Sequence, residues 1–172
     1  SFWDEIDVPA DTIIAIGGFH SIIKGEEVIT SGKFDFCCIT EAEGSFARLL
    51  RQLENDGPIN SIEGSYHCDR KTGEITRNSK GKLMQANELW EAVPDFTMFD
   101  DSYFQYPFDG SIYRRYGIEI SRGCPYDCTY CGNTALKAAF SGMGKFIRVR
   151  PVSSLIESMK VMIDKQDIEL FY

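Results

Sequence analysis

Three of the chain's six cysteines fall within eight residues, spaced Cys124-x3-Cys128-x2-Cys131. A loop this short can turn three thiolates onto one centre only if its backbone is compact. Gly123 allows the tight approach and Pro125 stiffens the turn. Thiolates are soft ligands suited to zinc or to an iron–sulfur cluster, and the spacing leaves both readings open. Zinc normally takes a fourth protein ligand to close a tetrahedron. His67, Cys68 and His20 are the candidates, and none is locally spaced for it. An iron–sulfur cluster on three thiolates instead leaves one iron open to a ligand. The other cysteines, the adjacent pair Cys37-Cys38 and Cys68, lie in strand-like segments and read as packing residues. Disulfide scaffolds spread their cysteines to close loops, so this clustered distribution argues for a reducing compartment and one metal-binding loop.

The surrounding pattern is that of an α/β chain. Residues 11–16 and 34–39 are short apolar runs rich in β-branched or aromatic side chains, and the first ends in Gly17-Gly18. Between Glu43 and Leu53, Phe46, Ala47, Leu49, Leu50 and Leu53 recur at helical spacing until residues 55–58 stop the helix. A parallel sheet with covering helices is expected. Residues 59–68 and 73–77 read as an antiparallel hairpin, and residues 78–116, with Pro94 and Pro107, read as irregular. Residues 116–121 form a strand-like run that feeds the cysteine loop. A glycine-rich bend at 141–144 follows, then an amphipathic helix over 152–165 with Leu155, Ile156, Met159 and Ile163 on one side. Residues 168–172 begin another strand.

Composition narrows the function classes. Apolar residues make up 43% and charges are interspersed, as in a globular chain. The net charge of -8 opposes a role in gripping nucleic acid, because a phosphate backbone is held by clustered Lys and Arg. No stretch approaches a membrane span, and the opening residues Ser1, Phe2, Trp3, Asp4 and Glu5 lack a basic region followed by an apolar one. A soluble, cytoplasmic protein is expected.

The loop Cys124-x3-Cys128-x-Tyr130-Cys131, with an aromatic residue just before its last cysteine, resembles the signature of radical S-adenosylmethionine enzymes. The resemblance extends along the chain through residues 13–20, the Glu41-Ala42-Glu43 turn, the hairpin of residues 64–78 and Ser121-Arg122-Gly123-Cys124-Pro125. These look like the cobalamin-binding branch of that family, similar to the magnesium-protoporphyrin ester cyclase-like iron–sulfur oxidoreductases. It implies that Cys124, Cys128 and Cys131 hold a [4Fe–4S] cluster and that the open iron chelates S-adenosylmethionine, with Tyr130 near the adenine. An electron from the cluster would yield a 5′-deoxyadenosyl radical for hydrogen abstraction, leading to a methyl transfer or a cyclisation. The resemblance also implies a small-molecule substrate and an electron donor such as flavodoxin or ferredoxin, with no nucleic acid or membrane partner. Cobalamin would lie by Gly17, Gly18 and His20.

In domain terms it implies three segments. Residues 1–58 would end a Rossmann-like cobalamin-type domain, residues 59–115 would be a hairpin and irregular linker, and residues 116–172 would open a radical-enzyme partial TIM barrel. The chain therefore looks like a fragment that would not cleave S-adenosylmethionine usefully by itself. The rival of another class is a zinc-stabilised, non-catalytic binding module. The family commonly has glycines flanking the first glutamate of the turn, where Thr40 and Ala42 stand here. Read from their residue types alone, His20 is a turn or surface histidine, and Glu41 and Glu43 complement a helix dipole in preference to forming a carboxylate pair; for Arg148 and Arg150, which precede a helix, a solvated surface is the default beside pairing with carboxylates or an anionic substrate.

Overall fold

The computed structural model describes residues 8–9, 11–91, 95–96 and 99–172, and the opening residues 1–5 and Pro94 lie outside them. Its contacts gather into two compact units, residues 1–84 with 125–146, and residues 85–124 with 147–172. These units cut across the three segments drawn from the sequence.

The first unit is built on a sheet of four strands in chain order, β1 Ala15–Ile16, β2 Phe36–Cys38, β3 Ser65–Cys68 and β4 Ile75–Arg77. Only β1 and β2 are parallel; β2–β3 and β3–β4 are antiparallel. The expected hairpin is therefore present and pairs directly onto β2, so the sheet is mixed rather than parallel. Strand β1 is much shorter than the apolar run 11–16, because the backbone N–H of Ile14 is taken by the Asp35 carboxylate at 2.8 Å. Arg70 closes the same corner, donating to Asp35 at 2.7 Å and to the Thr12 carbonyl at 2.7 Å.

Helices cover both faces of β2. Helix α1, Phe19–Thr30, packs Val28 and Ile29 with Phe34, Cys37, Ile39 and Cys68. Helix α2, Ala42–Glu54, packs Leu49 with Phe36, Cys38 and Ile62. Alternation along β2 thus sends Phe36 and Cys38 one way and Cys37 the other. The sequence pattern hid α1, because its helical dihedrals break at Lys24 (φ -119°, ψ 25°) and Gly25 interrupts the apolar face. That glycine serves close packing: a Cβ there would fall 2.7 Å from Ile39 Cγ2. On α2 the apolar residues are only partly used, and Phe46, Leu50 and Leu53 stay exposed. Helix α4, Asn133–Ala139, adds Leu136 to a third cluster with Ile22, Leu83, Phe140 and Met143.

The second unit holds a short helix α3, Ala86–Leu89, closed by a capping box between Gln85 and Glu88. A hairpin follows, β5 Gln105–Phe108 and β6 Ser111–Tyr116, inside the stretch read as irregular. Its turn is Asp109-Gly110, both with positive φ (47° and 75°), which is a recognised hairpin signal. The strand read at 116–121 is displaced: β6 ends at Tyr116, and only β7, Ser121–Arg122, follows, paired with β8, Arg148–Val149.

Helix α5, Val152–Gln166, leads to β9, Leu170–Phe171, which lies parallel to β6. The buried face of α5 carries Ser158 and Met162, not the expected stripe, and Ile156 and Ile163 are each 47% exposed. The helix is rotated because Met162 enters a cluster with Phe104 and Ile168, while Ser158 receives the Arg150 guanidinium.

Candidate cofactor site

The boundary between the two units falls inside the cysteine loop, after Cys124. On the Cys124 side, β7 ends at Arg122, and the next residue, Gly123, has a φ of 91° that suits glycine and turns the chain sharply. Arg122 grips Glu119 through two bonds of 3.0 Å, and Glu119 also accepts from Trp90 Nε1 at 3.1 Å. The strand end that presents Cys124 is thereby fixed by a bidentate pair.

On the other side, the Cys131 N–H donates to the Cys128 carbonyl at 3.0 Å, which makes a tight turn of residues 128–131. The Thr134 hydroxyl donates to the same carbonyl at 3.3 Å, and the Thr134 N–H donates to the Cys131 carbonyl at 3.3 Å. Lys137 pairs with Asp127 at 2.8 Å, so the first turns of α4 hold residues 127–131. Tyr130 projects from this turn and is 89% exposed.

The six cysteines are all free, but their settings differ. Cys124, Cys128 and Cys131 are partly exposed, whereas Cys37, Cys38 and Cys68 are buried. Burial, with the neighbouring Cys38, pushes the Cys37 thiol up to about 12. Burial raises Cys38 as well, opposed by the Ser45 hydroxyl that donates to its sulfur at 3.4 Å. Cys68 is raised by burial first and then by Asp35 and Asp69. A buried thiol held protonated is a poor ligand and a poor nucleophile. The chemistry of the donor set therefore suits the loop cysteines: three accessible sulfurs on one short loop. Among the described residues, no group of three or more His, Cys, Asp or Glu side chains is already gathered for a metal ion.

The fourth-ligand candidates for zinc are dispersed over the first unit's elements. Cys68 is in the core, His20 is exposed on α1, and His67 sits on β3, where burial lowers its pKa against the pull of Asp35, Asp69 and Glu74. Gly17 and Gly18 lead into α1, and Gly18, at φ 89°, is its N-cap. His20 lines a surface cleft of about 390 Å³ with Ile16, Glu27 and Lys33. Glu41 is the N-cap of α2 and Glu43 lies in its first turn, next to the positive end of the helix.

A smaller pocket of about 80 Å³ opens beside them, lined by Thr40, Glu41, Gly44, Arg48, Glu63, Lys80 and Lys82 among others. Sequence reading missed its three cations. The signal was Gly64, whose φ of +84° and approach to Thr40 bring the following segment back over α2. Arg148 and Arg150 are corrections: they are 3% and 6% exposed rather than solvated. Arg150 is drawn inward by Ser154, its hydroxyl at 3.2 Å and its carbonyl at 3.3 Å, and by the Ser158 hydroxyl.

Comparison with known proteins agrees with this architecture. No family model matches the chain. It is 29% identical over 136 residues to an anaerobic magnesium-protoporphyrin IX monomethyl ester cyclase of Synechocystis sp., covering 70% of this chain and 23% of that one. It is 25% identical over 149 residues to a hopanoid C-3 methylase of Methylococcus capsulatus, covering 84% and 25%. The chain thus spans about a quarter of the length of these curated relatives.

Among solved structures, it superposes on the cobalamin-dependent S-adenosylmethionine radical enzyme OxsB, with aqua-cobalamin and S-adenosylmethionine bound, at a TM-score of 0.51 and 17% identity. The match covers 91% of this chain and 20% of that one. The structure of OxsB with aqua-cobalamin bound gives a TM-score of 0.52. The fold is a mixed α/β fold like that of a cobalamin-dependent radical enzyme. By these likenesses the chain is similar in sequence to a cyclase and a methylase and in fold to a cobalamin-dependent radical enzyme. No helix among the described residues is long and apolar enough to cross a membrane.

Proposed function

We propose that the chain is part of a radical S-adenosylmethionine enzyme in which Cys124, Cys128 and Cys131 hold a [4Fe–4S] cluster. The observation that carries this reading is the division of the cysteines: three accessible thiols share one pinned loop, and the other three are buried. When bound, the cluster supplies the electron that cleaves S-adenosylmethionine to a 5′-deoxyadenosyl radical for hydrogen abstraction. The chain's own residues position it. Thr134 holds the loop backbone at the Cys128 carbonyl, Lys137 holds the Asp127 carboxylate, and the open ring of Tyr130 is available to the adenine.

The relatives named as a cyclase and a methylase support cyclisation or methyl transfer as the outcome. The aqua-cobalamin bound to OxsB supports cobalamin as a second cofactor, held beside Gly17, Gly18 and His20. Residues 1–58 would then be the end of its Rossmann-like domain, with residues 59–115 linking to the first βα unit of a partial barrel. The parallel pairing of β6 and β9 around α5 supports that unit. A small-molecule substrate, a flavodoxin- or ferredoxin-type electron donor and a cytoplasmic location complete the proposal.

Anaerobic reconstitution with iron and sulfide tests it. A brown protein with broad absorbance near roughly 400 nm is expected. A colourless chain with stoichiometric zinc would mean a metal-stabilised binding module instead. Incubated anaerobically with dithionite and S-adenosylmethionine, this chain, which spans about a quarter of its relatives' length, is expected to give little 5′-deoxyadenosine by chromatography; several turnovers would overturn the reading of it as a fragment.

A further inference from the structure

Phe19 opens α1 directly after Gly18. The first turn is fixed there, because the Gly18 carbonyl accepts from the Ser21 hydroxyl at 2.9 Å and from the Ile22 N–H at 3.1 Å. One turn on, Ile22 packs in the same cluster as Leu136 of α4, so the two helices are docked. The Phe19 ring is nonetheless 50% exposed. Its covered part meets Gly132, the residue after Cys131 and the N-cap of α4: a Cβ built on Gly132 would fall 2.8 Å from both Cε2 and Cζ of that ring. The ring occupies the space a side chain at 132 would fill. Phe19 is not a member of the cluster that Ile22 and Leu136 enter, and the cover it gives falls on a loop glycine, so core packing alone does not account for it.

We propose that Phe19 is a positioning residue for the Cys131 end of the cysteine loop, holding the backbone that carries this thiol and limiting its access to water. The inference rests on the three-thiolate site described above and names a residue that controls it from outside the loop. Glycine is the residue with the most backbone freedom, so a neighbour that restrains Gly132 restrains Cys131 as well. Where a cluster is bound, apolar cover matters through charge. The reduced form carries one more negative charge than the oxidised form, so better hydration favours it and raises the potential.

The test uses Phe19→Ala and Phe19→Leu in the full 172-residue chain. In the metal-free protein, iodoacetamide labelling is followed at each cysteine by peptide mass spectrometry. Phe19→Ala is expected to raise the Cys131 rate severalfold relative to Cys128, and Phe19→Leu to stay near wild type. Unlabelled Cys37, Cys38 and Cys68 report that the fold is intact. After reconstitution, Phe19→Ala should shift the midpoint potential upward with iron content unchanged. An unaltered Cys131-to-Cys128 ratio in folded Phe19→Ala overturns the proposal, whatever the cluster does. If Phe19→Ala does not fold, Gly132→Ala pushes the ring away from the other side; it too must raise the ratio, and no change would overturn the proposal. A wild-type chain that takes up no iron while Cys131 still responds to Phe19 would sink the cluster reading and leave the positioning role standing.

Discussion

The first unit contains two kinds of cysteine on neighbouring elements. Cys37 and Cys38 lie on a strand covered on both faces, and the thiols are walled in by Ile29, Ile39, Leu49 and Phe36. Cys128 and Cys131 lie on a turn whose backbone is bonded and whose side chains are left reachable. Adjacency in sequence and shared residue type are therefore poor guides to reactivity, and what decides it is whether the backbone or the side chain is the part held in place. On β2 the side chains are locked and the thiols are kept protonated. On the loop the main chain is locked and the sulfurs remain available.

The largest expected effect tests this division directly. Cys124→Ala, Cys128→Ala or Cys131→Ala should each abolish cluster assembly, measured as iron and sulfide per chain after anaerobic reconstitution. Cys37→Ala, Cys38→Ala and Cys68→Ala should retain the wild-type iron content. Equal losses across all six would erase the distinction.

A second effect is kinetic. A thiol held near 12 carries about a thousandfold less thiolate at a given neutral pH than one at the ordinary value of 9.0, and the thiolate is what an alkylating reagent attacks. Native-state labelling at pH 8 should modify the three loop cysteines in minutes and leave Cys37 unmodified until denaturant is added. Rapid labelling of Cys37 in the folded chain would show that β2 opens.

How far these two sets could be told apart beforehand depends on what kind of signal each leaves. The cysteine loop stands out because its spacing is local, and three sulfurs within eight residues need no tertiary information to be noticed. Helix α2 and the β3–β4 hairpin were legible for the same reason. Helix α1 was not, because Gly25 is chosen for contact with Ile39, which lies 14 positions away in sequence, and it breaks the periodic pattern that reveals helices. The burial of Arg148 and Arg150 was equally hidden, since Ser154 and Ser158 look like surface residues until α5 turns them inward. The β5–β6 hairpin is a different case: its Asp109-Gly110 turn was readable, and the scattered aromatics around it masked the signal.

Exchanging sulfur for oxygen sharpens the comparison with a smaller effect. Cys37→Ser places a hydroxyl in an apolar cluster with no partner made for it, which should cost about 1–3 kcal/mol of unfolding free energy. Cys128→Ser changes a reachable side chain and should cost less than about 0.5 kcal/mol in the metal-free chain. Urea unfolding followed by far-UV circular dichroism measures both. A Cys128→Ser cost as large as that of Cys37→Ser would mean that the loop is packed as tightly as the core.

The smallest effect concerns the sheet that shelters the buried set. His67 pairs with Phe36 across β2 and β3, next to Cys68, and burial lowers its pKa from the ordinary 6.5 despite the nearby Asp35, Asp69 and Glu74. In the window just below 6.5 the unfolded chain therefore binds more protons than the folded one, so unfolding gains as pH falls. The stability that neutral His67 contributes is present above 6.5 and is lost as the pH drops toward its lowered folded value. Carboxylates such as Asp69, whose pKa is also depressed by hydrogen bonds from the Lys71 and Thr72 backbone, lose theirs only at more acidic pH. The melting temperature of the metal-free chain should thus fall between pH 7.5 and 5.5 by on the order of one or two degrees. In His67→Gln, which keeps a polar group there without the titration, that slope should vanish. An identical slope in the variant would assign the pH dependence to other groups. A rise in stability on acidification that disappears with His67→Gln would mean that the three carboxylates outweigh burial, and that the strand beside Cys68 is wetter than the core around Cys37.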